Sequence, residues 1–178
     1  MRLFLYLTVM INLHSNEFAS YYSNYIKLVP EQDIVKGLIQ QKEEMVHFFS
    51  SIPVFKHEFR YTEGKWTVKD ILLHLIDAER VMSYRALRIA RNDKTALPGF
   101  EENDYVISAR ANERDFENLL QEYIIVRNAT ISLFESFNVE DLQLLGIASN
   151  SSVSVRAIGY IILGHELHHK QIILEKYL

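Results

Sequence analysis

Apolar side chains recur at three- and four-residue spacing in four long segments, and no segment alternates with the period of two that a half-buried strand shows. The first predicted helix covers about residues 31–52: Pro30 opens it, Glu31 and Asp33 fall in its first turn, Ile34, Leu38, Met45, Phe48 and Phe49 form its stripe, and Pro53 stops it. The second covers about 68–91, with Thr67 and Asp70 as a capping-box start and Ile71, Leu75, Ala78, Met82 and Ile89 on one face. The third covers about 113–137 with Asn112 as its cap, and carries Phe116, Leu119, Leu120, Tyr123, Ile131 and Phe134. The fourth covers about 155–177 and carries Ile158, Ile161, Ile162, His165, His169 and Ile172. Four such helices predict an all-α four-helix bundle. The tyrosine-rich stretch 17–28 is expected to pack over one end of it as a short helix or ordered arm.

Connections of roughly a dozen residues or more are longer than the two to eight usual between neighbours in a simple up-down bundle, so they permit crossovers. Residues 92–112, even partly extended at about 3.3 Å per residue, can run the length of a helix of about 36 Å, which allows the second and third helices to be parallel. No repeat, low-complexity tract or linker divides the chain, and residues 1–178 read as one domain. The apolar run at 1–13 is too short to span a bilayer and lacks a convincing cleavage site. Residues 1–15 are therefore expected to be an overhang or poorly structured arm, with Met10 as an alternative start.

Ten Tyr and ten Phe against six Gly and three Pro favour long regular elements. A formal charge of −4 and the absence of a Lys/Arg run argue against nucleic acid as a partner. With no Cys, any metal must be held by His and carboxylate, and a reducing cytoplasm is the compartment expected.

The candidate chemistry lies in His165-Glu166-Leu167-His168-His169. It reads as an H-E-x-x-H zinc-hydrolase pattern, but no histidine follows His169 and the extended form's Gly and His are replaced by Ile172 and Glu175. It also reads as an i, i+4 pair, His165 and His169, whose β-carbons lie about 5 to 6 Å apart on one helix face. A third ligand must then come from upstream, and His74 is the strong candidate. It lies about 9 to 10 Å from the start of the second helix, and His169 about 12 Å from the end of the fourth, so antiparallel packing brings all three to one depth. A lone histidine on an apolar stripe is ordinarily a satisfied core residue. Three buried together without an ion would be desolvated and mutually repulsive when charged, which favours a metal site with an open position.

Neighbouring residues carry two readings each. Glu166, turned about 100° from His165, is the candidate catalytic residue as a general base beside such an ion, or else a solvated surface carboxylate. His168, on the opposite shoulder of the pair, is expected to support a ligand or lie at the rim rather than to ligate. Asp70 and Asp77 are candidates to orient an imidazole, although an N-cap role explains Asp70 without function. Gly159 and Gly164 inside a helix suggest close backbone approach or a bend. Arg85, Arg88 and Arg91 either receive an anionic substrate or pair with neighbouring acids, and the second is the commoner fate of such arginines.

W-x-x-x-x-I-L-x-H-L-x-D-x-E-R at 66–80, G-H-x-x-H-H-x-x-I at 164–172 and the intervening Leu97-Pro98-Gly99-Phe100-Glu101 together resemble the DinB/YfiT-like family of proposed metalloenzymes. The resemblance implies an up-down-down-up bundle, a three-histidine divalent-metal site matching His74, His165 and His169, and frequent homodimers. Characterised relatives include bacillithiol-type thiol transferases and mycothiol-dependent maleylpyruvate isomerases. The function expected from it is a thiol-dependent S-transferase acting on a small molecule, with Zn or Ni and a low-molecular-weight thiol as cosubstrate. The alternatives are a metal-dependent hydrolase and a non-catalytic bundle that binds a protein through its aromatic surface. No membrane association is expected.

Overall fold

A computed structural model describes residues 12–178; of the overhang or poorly structured arm expected at 1–15, residues 1–11, with the alternative start at Met10, lie outside the described residues. Four long helices form the bundle: α2 (Ile34–Ser51), α3 (Val68–Ala90), α5 (Phe116–Glu135) and α7 (Val155–Lys176). Shorter elements fill the connections: α1 (Ser23–Ile26), α4 (Glu102–Ala109), α6 (Val139–Gln143) and a hairpin of β1 (Leu145–Ala148) and β2 (Ser151–Ser154). Among the described residues, no helix is long and apolar enough to cross a membrane.

Cross-helix contacts give the chain directions. Glu79 and Arg80 of α3 pair with Arg127 and Glu122 of α5, and Ser83 meets Thr130, so α3 and α5 run parallel. Tyr177, just past α7, reaches back to the Trp66 carbonyl before α3, while Lys42 and Phe49 of α2 meet Asn128 and Phe116 of α5. Both of those pairings are antiparallel. The order is therefore up-down-down-up, and the long crossover between α3 and α5 makes the parallel pair possible.

Several helix ends differ from the sequence expectation. The first long helix begins at Ile34, because the Asp33 carboxylate accepts the Lys36 N–H and fixes the N-cap there rather than at Pro30. Thr67 and Asp70 do form a capping box. Asn112 caps nothing: its side chain accepts from the Thr67 hydroxyl and donates to Asp70, tying the crossover to the start of α3, and α5 starts one turn later at Phe116. The hairpin was not expected. Its turn, Ser149-Asn150, has φ of 49° and 61°, the left-handed pair that a two-residue hairpin turn requires, in residues that are not the usual Asn-Gly. Leu97 joins the hairpin's edge through backbone bonds to Ile147 and Ser149.

The tyrosine-rich segment contains α1; Glu17 at its start bonds to Ser154 and Arg156 at the N-terminal end of α7, and α1 then lies along the middle of that helix. Gly164 permits this: a β-carbon there would be 2.1 Å from the Tyr25 carbonyl oxygen.

The core is two apolar clusters. One gathers Leu38, Ile89, Phe134, Ile158 and Ile161 with the hairpin; the other gathers Met45, Phe49, Leu72, Leu119, Tyr123 and Ile173. Between them lies a polar layer with one residue from each long helix: Gln41, Glu79, Arg127 and Glu166. Arg127, with no exposed surface, is bidentate to Glu79 at 2.9 and 2.9 Å and lies 3.1 Å from Glu166. Gln41 donates to Glu166 and to the Leu163 carbonyl. Removing one member of a buried ion cluster strands the others' charge at a cost of about 3–5 kcal/mol. Arg127→Met is therefore expected to lower unfolding free energy by about that amount, read from denaturant titration. A loss no larger than that of a surface substitution would contradict the layer's role.

Candidate metal centre

His74 lies two turns into α3, where the Thr67–Asp70 capping box fixes the helix start and the Trp66 ring covers it at a centroid distance of 4.7 Å. His165 and His169 are one turn apart on α7, and the antiparallel pairing of α3 with α7 sets them opposite His74. The His165 Nε2 is 3.1 Å from the His74 Nε2 and 3.1 Å from the His169 Nε2. One nitrogen from each of the three can be taken with all of them within 4.8 Å of one another, a donor set that could hold one metal ion.

Three observations bear on whether such an ion fits. The Nε2 atoms of His74 and His169 each meet that of His165 and not a carboxylate or carbonyl, so all three stand close enough to hold one ion. A single shared N–H at each contact would have to be assigned by tautomer, whereas a cation satisfies all three at once. The His169 Nδ1 is buried and has no hydrogen-bond partner among the described residues, so the ring's polar contact is made through Nε2 alone. The electrostatics agree with neutral imidazoles, the form that ligates metals. Burial pushes His74 down to about 4. Burial, with His74 and His168 adding to it, pushes His169 down to about 3. His165 falls well below the ordinary histidine value through desolvation and the neighbouring imidazoles.

The surroundings are aromatic. Trp66, the chain's one tryptophan, also lies nearly parallel to His169 at 6.2 Å. Tyr25 of α1 meets His165 edge-on at 5.4 Å and His168 at 5.0 Å, and His168 is not in the group of three that could hold an ion.

Glu166 is not a solvated surface carboxylate: it is 2% exposed and belongs to the polar layer, where its contacts are Arg127 and Gln41 rather than the three imidazoles. Burial raises it above the usual carboxylate range despite Arg127. Asp70 accepts from the Thr67 N–H and the Asn112 amide, and Asp77 from Arg80, so these bonds go to the scaffold and not to a histidine ring. Arg88 pairs with Asp93, Arg91 lies over the Phe137 ring, and Arg85 is buried, donating to the Pro98 carbonyl and the Ser149 hydroxyl. None of these three lines the clefts beside the histidines. Lys65 lines the cleft at His169, and Arg60 and Arg110 join it in the adjoining cleft across Trp66, on loops and a helix end without the periodicity of α3.

Residues 38–173 match the DinB superfamily. The chain belongs to that family. Among solved structures it is similar to YfiT from Bacillus subtilis, described as a probable metal-dependent hydrolase with an unusual four-helix bundle topology; TM-score 0.70, identity 12%, covering 92% of this chain and 90% of that one. At that identity the likeness establishes the fold. No curated protein matches.

The depressed histidines fix the sign of a pH effect. Below about 6.5 the unfolded chain takes up protons that folded His74 and His169 refuse until about 4 and 3. Stability of the metal-free protein is thus fully present above pH 6.5 and declines as pH falls toward 3. Denaturant midpoints across that range should show the decline in the parent, and a shallower one in His74→Phe. An identical slope in the two proteins would contradict it.

Proposed function

We propose that this DinB-family protein is a metal-dependent enzyme in which His74, His165 and His169 hold one divalent ion, Zn or Ni, and transfer a low-molecular-weight thiol to an electrophilic small molecule. The observation that carries the reading is the convergence of three neutral imidazole nitrogens from α3 and α7, with no fourth protein ligand among the grouped residues. All-nitrogen ligation with an open position is the donor set of catalytic zinc and its borderline neighbours. When bound, such an ion lowers the pKa of a coordinated thiol or water and so supplies a nucleophile at neutral pH.

The chain's own residues do the rest. Trp66 and Tyr25 cover the histidines and limit water's access, which strengthens electrostatic interactions within. Glu166 acts in this reading as a positioning residue and not as the base: with Arg127 and Gln41 it fixes the rotation of α7 and hence the direction of His165 and His169. Thiol transfer suits a site whose adjacent carboxylates are engaged elsewhere, since a thiolate needs no further base to attack carbon. The balance is direct: a C–S bond forms, the leaving group departs with its electron pair, and the thiol proton goes to solvent.

A second reading, hydrolysis, is favoured by the description of B. subtilis YfiT. The same three histidines would serve it.

Elemental analysis of tag-free protein is expected to give about one divalent ion per chain, falling to near zero in His74→Ala/His169→Ala. No metal in the parent, or metal retained by the variant, contradicts the proposal. With metal present, a panel of thiols and chloro-aromatic acceptors should yield thioether and chloride; silence there with turnover of esters or amides moves the assignment to hydrolase. Glu166→Gln should keep the metal and lose less than about tenfold in kcat, whereas loss of a general base costs about 10²–10⁴.

A further inference from the structure

Two clefts of about 270 and 260 Å³ open on either side of Trp66, and they share Gly64, Lys65, Trp66 and Asn103 as a common wall. The second is bounded by His169, Tyr61 and Tyr177, so it reaches the metal centre. The first is bounded by Arg60, Arg110 and Asp70. Together they are the size of a small-molecule site, with one aromatic, apolar end at the histidines and one cationic end away from them.

The cationic end is unusual for this chain, whose formal charge is −4. Several other cations are matched by acids: Lys69 lies 2.7 Å from Glu58, Arg80 lies 2.7 Å from Glu122, and Arg88 and Arg114 pair with Asp93 and Glu122. Lys65 and Arg110 have no ion pair among the described residues. Arg60 has only Asp70, at 3.7 Å, and the oxygens of Asp70 already accept the Thr67 N–H and the Asn112 amide. Among the described residues lining the two clefts, Asp70 is the one acid. Three under-matched cations around a concavity in an acidic protein attract an anion, and guanidinium groups present the planar fork that carboxylate and phosphate oxygens fit.

We infer that the cleft bounded by Arg60, Lys65 and Arg110 binds the oxyanion end, carboxylate or phosphate, of a small organic ligand whose other end lies along Trp66 toward His169. This names the substrate class of the proposed enzyme and rests on that reading for the ligand's orientation. The anion subsite itself does not require the metal, so its test uses metal-free protein.

Trp66 walls both clefts and is the chain's one tryptophan, so its fluorescence reports occupancy without any activity. Metal-free protein is titrated with glutarate and with glycerol 3-phosphate, and with the uncharged glutaramide and glycerol as partners. The expected result is a saturable Trp66 response to at least one anion, absent for its neutral partner and weakened by added salt. The double substitution Arg60→Gln/Arg110→Gln should weaken it about tenfold, since an exposed charge pair contributes up to about 1 kcal/mol. Which anion responds more tightly identifies carboxylate or phosphate. No saturable response to either anion, an equal response to the neutral compounds, or undiminished affinity in the double variant overturns the inference. Loss of metal binding in that variant also overturns it, because the arginines would then belong to the scaffold of the histidine site. A parent protein that fails to bind metal leaves this titration intact, so the two failures are distinguishable.

Discussion

The whole arrangement depends on a single buried guanidinium. Arg127 is held between the carboxylates of Glu79 and Glu166, and Gln41 completes a layer to which each long helix contributes one residue. An apolar core alone tolerates sliding and rotation of helices, since one methyl group replaces another at little cost. A charged layer does not, because a shift that separates these groups leaves a bare charge in a low-dielectric interior. The layer divides the core into two apolar halves and fixes where along the bundle each helix sits.

That constraint reaches the histidines directly. Glu166 is the residue next to His165, so the ion cluster that holds Glu166 inward also sets the rotation of α7 and turns His165 and His169 toward α3. On α3, Glu79 is five residues past His74, and the capping box at Thr67 and Asp70 fixes the start of the same helix. The site is thereby positioned from both sides by interactions that are not part of it. Gly164 adds a further condition: lacking a β-carbon, it admits the Tyr25 backbone onto α7, and the Tyr25 ring then closes over His165. Desolvation by this packing keeps the imidazoles neutral and available as ligands.

Much of this was legible in the sequence, for identifiable reasons. The four long helices follow from apolar periodicity, and the convergence of His74 with His165 and His169 follows from counting rise along antiparallel helices. The hairpin escaped because its strands are four residues each and its turn uses Ser149-Asn150 rather than a strong turn dipeptide. The polar layer escaped for a different reason: Gln41, Glu79, Arg127 and Glu166 are residue types that usually face water, and only pairing across four helices makes their burial tolerable. Glu166 drew notice through its place beside His165, yet its partner, Arg127, lies on another helix. The cationic cleft is likewise assembled from Arg60, Lys65 and Arg110, which no local pattern connects.

The central claim is that imidazoles from α3 and α7 share one divalent ion. Zinc-edge X-ray absorption of the loaded, tag-free protein tests it most directly. The account predicts three histidine nitrogens at about 2.0–2.1 Å, with one scatterer lost or replaced by oxygen in His74→Ala. An oxygen-dominated coordination shell, or one unchanged by that substitution, would contradict it.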